Sequence, residues 1–297
     1  IIPHIQLPTF NTPHPTSHIP MKLTLGFSPC PNDTYIFDAM IHHKIDTEGL
    51  EFEYHMADVE HLNGEAFAEK PDITKLSFHA FLHLAGKYLL LDSGAALGFG
   101  AGPLVISKKL TSFSDLPGKT VAIPGVYTTA NLLFSLAMTQ PIHKKELLFS
   151  EIENAILAGE VDAGVIIHES RFTYQSKGLH KLMDLGEYWE QKTGSPVPLG
   201  GIAAHHRLDE TVIAKVNRCI RRSIEYANSN KDGLNEFIRC NAREMDEEVM
   251  QQHISLYVNK FSVSLGLQGK NAVIQMFELA CQAGIIKEVP SGIFASV

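Results

Sequence analysis

Four short stretches hold the residues best suited to chemistry. In VIIHESRFTY (165–174), the apolar run Ala163, Gly164, Val165, Ile166 and Ile167 stops abruptly at His168. The run reads as a buried strand, which sets an imidazole at the strand's C-terminal end, where open α/β sheets bind their ligands. Histidine is the side chain best suited to move protons near neutral pH, so His168 is the expected centre of the chemistry. The plainer alternative is a core histidine satisfied by Glu169 or Ser170. SPCPNDT (28–34) and PGVYTTAN (124–131) each join a strand to a helix through a turn stiffened by proline or opened by glycine. Asn32, Asp33 or Thr34 in the first, and the threonines in the second, can cap the helix that follows. Capping alone would explain either stretch. One in each half of the chain, on opposite walls of a cleft, suits a small anionic ligand held by helix N-termini from both sides. The fourth stretch, Thr74-Lys75-Leu76-Ser77, ends another strand. Ser77 is placed to cap the next helix, and Lys75 or Ser77 to hold a substrate oxygen.

Other motifs point away from familiar chemistries. His79 and His83 are four apart, but Ala80 stands where a zinc protease needs glutamate. The adjacent pairs His42-His43 and His205-His206 project in different directions and read as structural. The glycines of SGAALGFGAGP (93–103) precede no helix, so they are no dinucleotide fingerprint and suit close backbone approach instead. A phosphate-loop signature and a GxSxG nucleophile turn are both absent from the sequence.

These residues must be positioned by α/β units. Strands are expected at 23–27, 50–55, 73–76, 89–91, 102–107, 120–123, 161–167 and 202–204, with helices near 33–43, 59–69, 78–87, 129–138 and 151–158. The alternation predicts a parallel α/β pattern. After Asp209 only helices are expected, at 210–228, 233–241, 246–258 and 270–283. With 297 residues, two domains are the prior expectation. Glycine-flanked crossings near 102–107 and 200–204 predict two lobes, a double hinge and a cleft between them. The expected division is a first lobe of 21–106 plus 205–297 and a second of 107–204.

The net charge of −8 with no basic stripe argues against nucleic acid and anionic membranes. Cys30, Cys219, Cys240 and Cys281 lie far apart without a CxxC pattern, as reduced thiols of a cytosolic protein would. No stretch is long and apolar enough to span a membrane. Residues 1–20 contain five prolines and three histidines but no Asp, Glu, Lys or Arg. They lack the charged start and apolar centre of a signal peptide and read as a disordered extension ahead of Met21.

Six blocks in order, SPCPNDTYIF, DITKLSFHA, SGAALGFGAGPLVI, GVYTTANLLFSLA, GEVDAGVIIHESRFTY and DLGEYWEQKTGSPVPLGGIAAHHR, resemble the 1,4-dihydroxy-6-naphthoate synthases of the futalosine route to menaquinone. The likeness runs from Met21 to about Leu265 and loosens beyond. It implies the type II periplasmic-binding-protein-like fold, a cytoplasmic enzyme, and no metal or organic cofactor. The implied partner is a small molecule, cyclic dehypoxanthine futalosine, converted by a carbon–carbon lyase reaction to 1,4-dihydroxy-6-naphthoate. The family's proton acceptor falls on His168. Its substrate-contacting residues fall on Lys75, Leu76 and Ser77 and on Thr128, Thr129 and Ala130, with Asn63 a further polar pocket position. Two rivals are weighed beside it. The sister chorismate dehydratase of the same pathway shares the fold but generally lacks SPCPNDT and IIHESRFTY. A non-catalytic solute-binding protein would need export, for which residues 1–20 offer no signal.

Overall fold

The computed structural model describes residues 20–230, 234–242 and 246–296. The expected extension at 1–20 therefore lies outside the described residues except for Pro20, as does the expected helix start at 233. The chain opens with β1 (Met21–Phe27), α1 (Pro31–Ile41), β2 (Leu50–Met56), α2 (Val59–Phe67), β3 (Ile73–Ser77), α3 (Phe78–Leu84), β4 (Tyr88–Leu90) and β5 (Ala96–Gly98). There follow β6 (Leu104–Ser107), β7 (Thr120–Ile123), α4 (Thr129–Ala137), β8 (His143–Glu146), α5 (Ile152–Ala158), β9 (Ala163–Ile166), α6 (Ser170–Thr173), β10 (His180–Asp184) and α7 (Leu185–Thr193). The chain then returns through β11 (Val197–His205) to α8 (Glu210–Ser229), α9 (Glu236–Asn241), α10 (Glu247–Tyr257), α11 (Lys260–Val263) and α12 (Gly266–Gln282).

Two sheets form the two lobes. The first runs β2-β1-β3-β11-β4, with β5 also paired to β11; the second runs β10-β6-β9-β7-β8. In the first, β1 is parallel to β2 and β3, whereas β11 is antiparallel to β3, β4 and β5. In the second, β7 is parallel to β8 and β9, whereas β6 is antiparallel to β9 and β10. Each sheet is therefore mixed, not purely parallel. The antiparallel strand is in each case the one that arrives from the other lobe. A strand that enters its sheet straight from a crossing has no helical return to reverse it, so it need not run with its neighbours. The lobe boundaries shift for the same reason. Residues 104–106, expected in the first lobe, are hydrogen-bonded in the second sheet as β6, and 197–204, expected in the second lobe, are in the first sheet as β11.

Burial follows the sequence pattern. All of β3 and β9 is buried, as strands covered on both faces must be. The 20-residue α8 turns Val212, Ile213, Val216, Cys219, Ile220 and Ile224 inward. They share a core cluster with Leu23, Leu25 and Phe27 of β1 and with Phe37 and Met40 of α1. A second cluster joins the lobes: Leu76 and Phe78 of the first lobe, Val121, Phe134 and Val165 of the second, and Met276 and Phe277 of α12 belong to one apolar body. At the first crossing, a Cβ on Gly102 would stand 2.2 Å from the backbone of Gly186. Only glycine lets these two chain segments touch.

Candidate active site

The C-terminal ends of β1, β3, β7 and β9 converge on a cavity between the lobes. Lys75, Leu76, Ser77, Thr128, Thr129, Ala130 and His168 all line it. Asn63 does not. It is fully buried behind the wall, where its Oδ1 accepts from Ser77 N (3.1 Å) and its Nδ2 lies 3.3 Å from Ser77 Oγ. Asn63 thus holds Ser77 in place. Ser77 heads α3 but makes no side-chain cap bond. The expected capping by Asn32, Asp33 or Thr34 is also corrected. The N-cap of α1 is Cys30, without a side-chain cap bond, and Asp33 instead reaches back to accept from Ser28 N (3.2 Å) and Ser28 Oγ (2.7 Å). Thr128 does cap α4, its Oγ1 accepting from Asn131 N at 3.2 Å. The first-turn N–H groups of Thr129 and Ala130 have no carbonyl four residues back within the helix, and both residues line the cavity.

Asp33 and Lys75 form an ion pair of 2.7 Å inside the wall, with side-chain exposures of 1% and 7%. Asn32 Nδ2 completes the carboxylate's donors at 2.8 Å. The pair matches the ammonium with a carboxylate and leaves Lys75 with N–H donors beyond the one given to Asp33.

His168 follows the end of β9 by two residues and has φ +58°. Side chains rarely adopt this left-handed backbone, although histidine tolerates it better than most. The ring is fixed on three sides. Cys30 Sγ lies 3.4 Å from Nδ1. Phe149 meets the ring edge-on at 4.9 Å and 61°, and His253 lies nearly parallel at 6.1 Å and 16°. With Nδ1 engaged by the thiol, Nε2 is the nitrogen left for a ligand. Burial, followed by the Glu169 charge, pushes the Cys30 thiol well above its ordinary range. It therefore keeps its proton and acts as a neutral partner, not a nucleophile. Alkylation mapped by mass spectrometry checks this: in the native protein at pH 7.5 the exposed Cys240 reacts with iodoacetamide, whereas the buried Cys30 and Cys219 react only after denaturation. Rapid native labelling of Cys30 would contradict the assignment. Ligand atoms of Cys30, His168 and Glu169 lie within 4.8 Å of one another, the donor set among the described residues that could hold a metal ion.

Direct bonds between the lobes flank the cavity. Thr129 Oγ1 donates to Leu199 O of β11 (2.6 Å), and Tyr127 N donates to Glu60 Oε1 of α2 (2.9 Å). His79 Nδ1 bonds Thr128 O at 3.1 Å. His79, considered in the sequence only as a metal ligand, thus links the lobes. Burial, with smaller contributions from His83 and Lys144, lowers its pKa to about 4. The unfolded chain takes up this proton near pH 6.5 and the folded chain only near 4. Stability is consequently lost as pH falls through that window, by about 1–3 kcal/mol, and levels off below it. Denaturant unfolding across pH 7 to 4 checks this, with a shallower slope expected for His79→Gln and an equal slope contradicting it.

Several cavity-lining residues carried no flag as ligand contacts in the sequence: Ser28 and Asp33, within a turn read for capping and for ligand-binding helix N–H groups, Gly200 of β11, and His253 and Tyr257 of α10. His253 and Tyr257 are four apart on one helix face, a spacing that could have drawn notice.

A family profile described as menaquinone biosynthesis matches residues 23–282. The chain is 41% identical over 272 residues to a 1,4-dihydroxy-6-naphthoate synthase of Thermus thermophilus, covering 92% of this chain and 98% of that protein. It is 40% identical over 270 residues to the enzyme of the same name from Streptomyces coelicolor, covering 89% and 94%. A crystal structure of an Archaeoglobus fulgidus protein superposes with TM-score 0.84 at 37% identity, covering 89% of this chain and 98% of that one. The periplasmic aliphatic sulphonate binding protein of Escherichia coli superposes with TM-score 0.64 at 11% identity, covering 91% and 90%. The latter likeness establishes the periplasmic-binding-protein-like fold alone.

Proposed function

Because the chain belongs to the menaquinone biosynthesis family, we propose that it is a 1,4-dihydroxy-6-naphthoate synthase, a carbon–carbon lyase acting on cyclic dehypoxanthine futalosine. The observation that carries this reading is the meeting of His168 with Lys75–Ser77 and Thr128–Ala130 in one interlobe cavity. The substrate has an arene carboxylate and a hydroxylated ring system. The first-turn N–H groups of Thr129 and Ala130 at the start of α4 and the Ser77 hydroxyl supply donors for these oxygens, while the Thr128 and Thr129 hydroxyls, which donate to Gly125 O and Leu199 O, hold the helix start in place. In the tautomer that donates Nδ1–H to the Cys30 sulfur, His168 Nε2 is bare and takes a proton from a hydroxyl or an acidic C–H. Carbon–carbon cleavage, which releases the sugar-derived carbons as a small fragment, and loss of water follow, and aromatisation of the new ring drives both.

The lobes divide the work. The first holds Lys75, Ser77 and the supporting Asn63; the second brings His168 and the α4 start. Their closure excludes water from the reacting centre. No described helix is long and apolar enough to cross a membrane, and we place the enzyme in the cytoplasm with a small-molecule substrate and no nucleic-acid partner. Incubation of purified protein with cyclic dehypoxanthine futalosine, followed by mass spectrometry, tests the proposal. A 1,4-dihydroxy-6-naphthoate peak that grows with enzyme concentration is expected. Unchanged substrate that nonetheless raises the melting temperature would overturn the lyase reading in favour of a binding protein.

A further inference from the structure

His253 is fully buried on α10, lines the cavity and lies nearly parallel to the His168 ring. Its hydrogen-bond chemistry can be deduced step by step. Asp33 Oδ1 receives Lys75 Nζ at 2.7 Å and Asn32 Nδ2 at 2.8 Å. An ionised carboxylate only accepts, so the Asn32 amide must turn its NH₂ toward Asp33. Asn32 Oδ1 is then the atom 2.9 Å from His253 Nε2. A carbonyl oxygen also only accepts, so Nε2 carries the hydrogen. Burial, reinforced by His168 and Lys75, holds the ring neutral far below the ordinary histidine range. A neutral ring with its hydrogen on Nε2 leaves Nδ1 as a bare acceptor. That Nδ1 is buried and has no hydrogen-bond partner.

A buried acceptor with nothing to accept is costly and uncommon in native proteins. Here it belongs to a cavity-lining residue beside the proposed base, and four groups in series (Lys75, Asp33, Asn32, His253) determine its tautomer. We propose that His253 Nδ1 is a substrate-binding atom that accepts a hydrogen bond from an O–H group of the ligand. The assignment rests on the reading of the cavity as the site for a hydroxylated substrate, and it makes His253 a selector for ligands bearing a hydroxyl at that point. A site built around a buried polar atom rejects an analogue that leaves it unpaired far more strongly than an apolar wall rejects an extra group.

Two substitutions separate the nitrogens. His253→Gln reaches as far as Nε2 and can still donate to Asn32, but it places no acceptor at Nδ1. His253→Asn reaches only as far as Nδ1 and can place its amide oxygen there. kcat/KM for cyclic dehypoxanthine futalosine is measured in the native background, and the substrate Kd by calorimetry in a His168→Ala background, where turnover does not interfere. Thermal melts accompany both. His253→Gln is expected to lower kcat/KM and weaken Kd by about 10–100-fold, and His253→Asn to recover most of that loss whatever its melting temperature. Equal binding by the Gln variant and its parent would overturn the proposal. So would losses in both variants that track only their lowered stability, since that is the signature of a packing role. Failure of the native protein either to turn over or to bind the substrate would instead overturn the reading of the cavity, and this inference with it.

Discussion

Replacing His168 with alanine lowers kcat by about 10²–10⁴-fold, the usual contribution of a positioned general base, while circular dichroism and melting temperature stay close to native. The fold should tolerate the change. His168 lies beyond the end of β9, half-buried at the cavity wall, and its side chain has one polar contact, to Cys30. Alanine also occupies the +58° backbone less readily than histidine does, so a small loss of stability is expected. The loss of rate should fall on kcat and not on substrate affinity, because Ser77 and the start of α4 remain. Native turnover by the variant would place the base elsewhere.

The largest effect on stability is expected from Lys75→Met. The substitution leaves the Asp33 carboxylate, 1% exposed, without its cation. Its remaining donors, from Ser28 and Asn32, are neutral. Breaking a buried pair from one side costs about 3–5 kcal/mol, which for a chain of this size lowers the melting temperature by roughly 5–15 °C. The double variant Lys75→Met with Asp33→Asn removes the stranded charge and should recover much of the loss, since replacing both members of a buried pair is often close to neutral. Calorimetric melts of the two proteins check this. A single variant as stable as native would mean that water or a rearranged side chain compensates Asp33.

Much of the scaffold was legible because its strands are buried on both faces. β7 matches its expected span of 120–123 residue for residue, and β9 lies within 161–167. What escaped notice has physical reasons. β8, His143–Glu146, is a mostly exposed edge strand of polar residues and shows no alternation to read. β11 carries Pro198 and two glycines, so only 202–204 looked like strand; its full length emerges from pairing with β3, β4 and β5. The site divides in the same way. Residues at strand ends, such as His168 and Lys75 to Ser77, are marked by the abrupt change from apolar to polar. Partners brought in by tertiary packing are not marked. Cys30 meets His168 across 138 positions of sequence, and His253 meets Asn32 across 221. Neither pair can be read before the lobes and the helical return are placed. Asn63 illustrates the converse: flagged as a pocket residue, it lies one layer behind, acting through Ser77.

The most direct test of the account is a crystal structure of the His168→Ala protein with unreacted cyclic dehypoxanthine futalosine. The account predicts the substrate between the lobes, its oxygens on Ser77 and the start of α4, and a hydroxyl or acidic C–H within about 2.6–3.2 Å of the position vacated by Nε2. A substrate bound in the same cavity with every acidic hydrogen turned away from that position would contradict His168 as the base.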